Sequence, residues 1–287
     1  MRWSKRRQAF RALFAGDRCV HPGSVFDPLS ARIAEEVGFE AGMFAGSVAS
    51  LTVLGAPDLI VLTLSEFAEQ AYRINRATEL PLMVDADHGY GNALNVTRTV
   101  EELEAAGVAG LSIEDTALPQ PFGALDRTQL IPLEEGVGKM KAALAGRSDP
   151  DLVIAGRTSA VSVTGLDDAV QRIAAYEAAG VDAIFLIGVK TREQLAACRE
   201  AVKLPMILGG AGPEIMDLDY LPGMGVRLCL QSHAPFMAAV QAVYDTLSAL
   251  RAGTPPKELG GVATPEVMKR LTRDADYRAR MADWLGG

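Results

Sequence analysis

Val100-Glu101-Glu102-Leu103-Glu104-Ala105-Ala106-Gly107-Val108-Ala109-Gly110 and Ile173-Ala174-Ala175-Tyr176-Glu177-Ala178-Ala179-Gly180-Val181-Asp182-Ala183 are two copies of one phrase. Each closes a helix-forming stretch on Ala-Ala-Gly-Val and passes directly into an apolar run. The glycine suits the left-handed position after a helix's last turn, where a side chain would be strained. Ala34-Glu35-Glu36-Val37-Gly38-Phe39-Glu40-Ala41 is a third, looser copy. A helix that ends on glycine just before a strand, used repeatedly, marks one supersecondary unit repeated along the chain.

Outward from these copies, short apolar runs alternate with helical patterns. The runs are Cys19–Ser24, Ala41–Gly46, Leu80–Val84, Gly110–Ile113, Leu152–Ala155, Ala183–Ile187, Leu204–Leu208 and Val226–Leu230. None alternates cleanly with polar residues, as befits parallel strands covered on both faces. Helices are predicted over Leu29–Val37, Leu64–Arg76, Ala93–Ala106, Leu133–Ala145, Asp167–Ala179, Thr191–Val202 and Pro235–Leu250. The helix after the seventh run, around Pro213–Leu221, is poorly marked. Eight strand–helix units in about 250 residues predict an α/β fold of the (β/α)8 TIM-barrel type. No Gly-rich dinucleotide turn follows the first run, which disfavours an open doubly wound sheet. The whole chain, 1–287, reads as a single domain, with the barrel over about 19–250 and a helical tail over about 251–287. Within the basic segment Met1 to Phe14, Gln8–Phe14 reads as an amphipathic docking helix rather than a signal or transit peptide.

Composition excludes several function classes. The 287 residues hold 28 Lys+Arg and 36 Asp+Glu, a net charge of −8, and 49% are hydrophobic against 22% charged. Such a chain can bury a large core and is not disordered. Its acidic balance argues against nucleic acid as a partner. No apolar run approaches the ~20 residues that span a bilayer, so no membrane association is expected. Cys19, Cys198 and Cys229 are too few and too scattered for a disulfide framework or zinc site, which points to a reducing, cytoplasmic location.

In such a barrel, chemistry sits on the loops at the C-terminal ends of the strands. Those ends carry Gly23-Ser24-Val25-Phe26-Asp27, Gly46-Ser47, Asp85-Ala86-Asp87-His88, Glu114-Asp115, Arg157-Thr158-Ser159 and Gln231-Ser232-His233. The constellation is four carboxylates on two adjacent strands, one arginine and one histidine. Asp85, Asp87 and Glu114 are an oxygen-rich set without Cys or His at ligand spacing, suited to Mg2+ or Mn2+. Two residues apart, Asp85 and Asp87 can face the same way on a strand. The plainer alternative, acids that cap helices or pair with arginines, leaves the mutual repulsion of so many acids unexplained. Arg157, behind the apolar Val153-Ile154-Ala155-Gly156, would clamp a carboxylate or enolate oxygen, or simply neutralise the acids. His233 ends the eighth strand, where an imidazole can exchange protons near neutral pH. His21 reads as structural, and His88 as either a loop contact or a functional group.

The combination Val84-Asp85-Ala86-Asp87-His88-Gly89-Tyr90-Gly91, Ser112-Ile113-Glu114-Asp115 and Gly156-Arg157-Thr158 resembles the isocitrate lyase/phosphoenolpyruvate mutase superfamily. Leu54-Gly55-Ala56-Pro57-Asp58 and Phe26-Asp27-Pro28-Leu29-Ser30-Ala31 resemble its other landmarks, and the likeness runs from about Cys19 to about Leu250. It implies a Mg2+-dependent barrel acting on α-keto or α-hydroxy carboxylates through an enolate-like pyruvate intermediate. By motif position, Asp85 would be the metal ligand, with Asp87 and Glu114 holding its waters. Arg157 would bind substrate and Ser47 its carboxylate. Members are usually tetramers, dimers of dimers, whose terminal helix packs on a neighbour.

The branch is decided by what the chain lacks. The superfamily's C–C lyases carry a Lys-Arg-Cys-Gly-His type loop after strand four, and its phosphonomutases an Asn there. Here the loop reads Thr116-Ala117-Leu118-Pro119-Gln120-Pro121-Phe122-Gly123, and Thr116 to Arg127 holds neither Cys nor Asn. The chain therefore resembles the oxaloacetate decarboxylase branch, which pairs a Cys-free loop with a histidine after strand eight. A carboxy-lyase acting on an α-keto dicarboxylate is implied, with His233 orienting substrate or protonating the enolate carbon. Two alternatives stay open: a C–C lyase on a methylisocitrate-like or substituted malate substrate, and a non-catalytic keto-acid-binding barrel.

Overall fold

A computed structural model describes residues 3–123 and 127–286. Every predicted run overlaps a strand: β1 (Gly23–Ser24), β2 (Gly42–Phe44), β3 (Leu82–Asp85), β4 (Gly110–Glu114), β5 (Val153–Thr158), β6 (Ala183–Ile187), β7 (Met206–Gly209) and β8 (Val226–Cys229). They hydrogen-bond in chain order as one curled, all-parallel sheet of the TIM type. Register sets Glu114 beside Arg157 and Arg157 beside Phe185. Val20, ahead of β1, forms a parallel bridge with Leu228 of β8. Its N–H donates to the Arg227 carbonyl, and its own carbonyl accepts from Cys229.

The helices are α1 (Ser4–Ala15), α2 (Pro28–Glu36), α3 (Gly46–Ala49), α4 (Leu64–Ala77), α5 (Ala93–Ala105), α6 (Leu133–Gly146), α7 (Ala160–Val163), α8 (Leu166–Ala179), α9 (Arg192–Ala201), α10 (Ala234–Arg251), α11 (Pro265–Leu271) and α12 (Asp274–Leu285). Starts follow side-chain caps: Asp27, Thr63, Asn92 and Thr191 each close a capping box. Gly180 takes the left-handed position after α8, as the repeated phrase requires. The single helix expected around Pro213–Leu221 is instead two 3-10 turns, Pro213–Ile215 and Leu221–Met224.

The chain divides into two compact units, residues 1–232 and 233–287. In the first, Val84, Leu111, Ile113, Ile154, Ile184 and Leu208 pack outward against Val96, Val100, Leu103, Met140, Ile173 and Leu195 of the helices. Met43, Met83, Phe185 and Ile207 alternate with them, buried on the opposite face. Both faces are dry, which is why the runs carry no polar alternation. Helix α1 closes the N-terminal ends of the strands. Phe10 is fully buried where a Cβ on Gly110 would lie 2.3 Å from its ring, so glycine is what admits it. Buried Arg7 donates to the Val108 carbonyl (3.0 Å) and to Asp149 (2.7 Å). The docking helix is thus longer than its predicted Gln8–Phe14 core; Met1 and Arg2 lie outside the described residues.

The second unit consists of α10, a 3-10 turn at Pro256–Glu258, and α11 and α12. The predicted tail over Thr264–Leu285 is two helices, parted where Arg273 takes a left-handed φ of 55°. Among the described residues, no helix is long and apolar enough to cross a membrane.

Candidate active site

Strand alternation turns Asp85, Ser112, Glu114 and Arg157 onto the face that Met83 and Phe185 share. Arg157 reaches across from β5. Its Nη1 bonds Asp85 Oδ2, its Nη2 lies 3.2 Å from Glu114 Oε2, and its guanidinium sits 5.4 Å from the Phe185 ring centroid. Ser112 Oγ donates to the other Asp85 oxygen at 3.1 Å. Arg157 Nε is buried without a hydrogen-bond partner among the described residues.

Asp87 joins this group by a different route from the one expected. β3 ends at Asp85, so strand periodicity does not place Asp87. A left-handed turn does, with φ 49° at Asp87, and positive φ again at Gly89, Tyr90 and Gly91. Thr99 Oγ1 donates to the Gly89 carbonyl (3.0 Å) and the buried Lys139 Nζ to the His88 carbonyl (2.8 Å), fastening the turn to α5 and α6. The Asp87 carboxylate then lies against Gly46, where a Cβ would stand 2.4 Å from Oδ2. Only glycine permits that approach. Ser47 follows it, half-buried, inside α3. The expectation that Ser47 ends strand two is corrected: β2 stops at Phe44, because Ala45 already caps the next helix.

The acids are held under electrostatic stress. Burial, then Asp85 and Glu114, push the Asp87 carboxyl well above the usual carboxylate range, and Arg157 offsets only part of this. Burial also raises Glu114, against the pull of Arg157 and the Thr116 hydroxyl. Arg157 itself is held protonated by its carboxylates despite its burial. Three buried carboxyl groups crowd one guanidinium, more acids than it can compensate, and they make an all-oxygen donor set. That chemistry fits a hard divalent cation. As the side chains stand, no three His, Cys, Asp or Glu among the described residues converge as a metal site. Arg157 takes up oxygens of both Asp85 and Glu114.

The fourth carboxylate of the sequence constellation is not part of the group. Asp115, one residue past Glu114, turns to the helix side of the sheet, where Arg172 and Tyr176 bond it. Two residues that the motifs contain but that were given no role in the site face the acids instead. Asp58 raises both Asp87 and Tyr90 by its charge. Tyr90 buries its hydroxyl without a hydrogen-bond partner among the described residues. Tyr90 was legible as part of the turn motif; Asp58 lies in a loop with no periodic signal. His88 is buried, and burial and Lys139 push its imidazole down to about 4. His21 Nδ1 meets the Cys229 carbonyl at 2.6 Å, within the sheet. His233 belongs to the second unit, where it caps α10 and its carbonyl accepts from Phe236 and Met237. In the loop after β4, Thr116 and Leu130 pair as its two arms, and Ala124–Asp126 lie outside the described residues.

With this geometry in place, residues 10–251 match the phosphoenolpyruvate phosphomutase family. The chain belongs to that family. A relative from Rhodopseudomonas palustris (strain BisB18), named oxaloacetate decarboxylase, is 60% identical over 286 residues, covering 100% of this chain and 99% of that one. Among solved structures, oxaloacetate acetylhydrolase in complex with the inhibitor 3,3-difluorooxalacetate superposes with a TM-score of 0.86 at 28% identity, covering 99% of this chain and 98% of that one. Phosphonopyruvate hydrolase in complex with oxalate and Mg2+ gives 0.86 at 30% identity, covering 98% and 99%. The superfamily expected from the Asp-x-Asp, Ile-Glu-Asp and Gly-Arg-Thr motifs is therefore the right one.

Proposed function

We propose that this protein is a carboxy-lyase that decarboxylates oxaloacetate to pyruvate and CO2 with the help of Mg2+, for which Mn2+ can substitute. The observation that carries the reading is Arg157: a buried guanidinium spanning two acids, with one N–H still unpartnered. The 60%-identical relative named for this reaction supports it along the full length. So does a loop after β4 without cysteine.

Decarboxylation breaks the C3–C4 bond of oxaloacetate. Its electron pair enters the C2–C3 enolate, C4 leaves as CO2, and a proton added at C3 gives pyruvate. Negative charge develops on the C2 oxygen, and a fixed guanidinium in a water-poor site stabilises it. Asp85 would hold a divalent cation, with Asp87 and Glu114 holding its waters, and the cation would supply Lewis-acid stabilisation of that charge. Ser47 fixes the C1 carboxylate. His233 orients the substrate and delivers the proton to C3. CO2 departs without an acid, so no cysteine is required.

The same reading takes the curled sheet as a closed (β/α)8 barrel, supported by the Val20–Leu228 bridge, within one domain over 1–287. It takes the assembly as a homotetramer, a dimer of dimers, with the tail packed on a neighbouring subunit. Met237, Val240, Val243, Tyr244 and Leu247 of α10, all exposed in the single chain, support this. Three free, buried cysteines support a cytoplasmic location. The test is incubation of EDTA-treated protein with oxaloacetate, then with methylisocitrate, with and without Mg2+, measuring pyruvate. Pyruvate from oxaloacetate well above the rate of Mg2+ alone, abolished by EDTA and by Asp85→Ala, is expected. Pyruvate only from methylisocitrate would make the protein a C–C lyase, and none from either would make it a binding barrel.

A further inference from the structure

Asp115 and Thr158 each directly follow a residue of the site, Glu114 on β4 and Arg157 on β5. Alternation turns both toward the helices, and both are fully buried there. Tyr176 of α8 donates its hydroxyl to Asp115 Oδ2 at 2.7 Å. Arg172, one turn earlier, donates Nη1 to the same oxygen at 3.1 Å. Burial raises the Asp115 carboxyl, and Tyr176, Thr158 and Arg172 offset only part of this; its Oδ1 has no hydrogen-bond partner among the described residues. Arg172 Nη1 also donates to the Ile131 carbonyl (3.1 Å), while the Ile131 N–H donates to the Asp115 carbonyl (2.9 Å). One arginine thus holds both arms of the loop that leaves β4 and returns at α6.

Two glycines make room for Tyr176. A Cβ on Gly136 of α6 would stand 2.5 Å from its hydroxyl oxygen, and a Cβ on Gly156 would stand 3.1 Å from its ring. Gly156 immediately precedes Arg157. The ring therefore lies flush against the residue before Arg157, while its hydroxyl bonds the residue after Glu114. Simple packing of α8 on the sheet would not need a fully buried carboxylate, which is costly to desolvate unless several donors satisfy it. What such a carboxylate adds is directional constraint, here on the back of the two strands whose fronts carry Glu114 and Arg157.

We infer that Tyr176 and Arg172 are positioning residues that act through Asp115. They hold the ends of β4 and β5 at the spacing from which Arg157 spans Asp85 and Glu114. This rests on the decarboxylation proposed above. The test is Tyr176→Phe, which removes one oxygen and keeps the ring, alongside Ile173→Val, a core truncation on the same helix that leaves the clamp untouched. Well below both melting temperatures, Tyr176→Phe is expected to lose roughly tenfold in kcat while Ile173→Val keeps wild-type kcat. In an Arg157→Lys background the Tyr176→Phe loss should shrink to less than about threefold, because the group it aims is already gone. Full kcat in Tyr176→Phe, or losses that simply multiply in the double variant, would overturn the inference. Calorimetric binding of oxalate with Mg2+ present, a planar dianion shaped like pyruvate enolate, reads the aim of Arg157 without turnover. Roughly fivefold weaker binding by Tyr176→Phe is expected, and equal binding overturns the inference. Wild-type protein that binds oxalate but makes no pyruvate would instead overturn the reaction and leave the positioning role to the binding result.

Discussion

Replacing Arg157 by lysine keeps a positive charge and removes the fork. The guanidinium spends Nη1 on Asp85 and Nη2 on Glu114, 3.2 Å away, and keeps Nε in reserve. A single ammonium nitrogen cannot span both carboxylates and also face a substrate oxygen. At least one charge-assisted hydrogen bond is lost, and such bonds contribute about 1.5–3 kcal/mol. At about 1.4 kcal/mol per decade of rate, kcat/KM should fall roughly 10- to 150-fold. The acids keep a counter-charge, so the fold should hold. Arg157→Met removes that charge as well, and should lose at least a further factor of about ten and melt lower in metal-free buffer. The assay is steady-state pyruvate formation over a range of oxaloacetate at saturating Mg2+, with melting curves of each variant. A lysine enzyme within threefold of wild type would show that charge alone suffices and that the argument from the fork is wrong.

Other outcomes follow from the same geometry. Asp149→Asn should lower the melting temperature and spare kcat, because it breaks the buried contact to Arg7 at the end of the strands remote from the site. Arg7 and the Asp151 N–H outweigh burial and hold the Asp149 carboxyl below its ordinary value. The stability it contributes is therefore present above about pH 4 and lost as pH falls through the lowered value, so the gap between wild type and variant should stay constant above about pH 4 and narrow progressively below it in melting curves. A gap that stays constant below about pH 4 as well would contradict this. Burial pushes Cys19 up to about 12 and Cys198 and Cys229 to about 11, so no thiolate is available at neutral pH. Replacing all three by alanine or serine should leave kcat within a few-fold, and a thousandfold loss in folded protein would revive a cysteine acid. His233→Ala should cost ~10²-fold or more in kcat/KM, the size typical of a positioned acid or polar contact. A milder loss in His233→Gln would assign orientation, and an equal loss would assign proton transfer. Near-normal kcat/KM in both would remove His233 from the site.

The strand order and the identity of the central acids were legible in the sequence because both follow from local rules. A strand dry on both faces must be an unbroken apolar run, and a helix that ends before it needs glycine at its C-terminus, so the repeated Ala-Ala-Gly-Val phrase carried the architecture. Asp85, Glu114 and Arg157 were legible because they are the first charged residues after such runs, where the core ends. Packing between distant segments decided the rest. Strand periodicity does not bring Asp87 to the acids; a left-handed turn does, held by Thr99 and Lys139 and admitted by the bare Cα of Gly46. Ser47 moved into a helix because Ala45 caps it, and Asp58, part of a recognised motif but of no periodic element, was brought to the acids by its loop. Asp115 shows the division most plainly. Sequence puts it beside Glu114 and invites grouping it with the other acids. The pleat turns it through the sheet, and whether a buried carboxylate there is tolerable depends on donors from Arg172 and Tyr176, more than fifty residues away. Which charges meet is set by the sheet's curl and the helices' docking, and no local pattern encodes that.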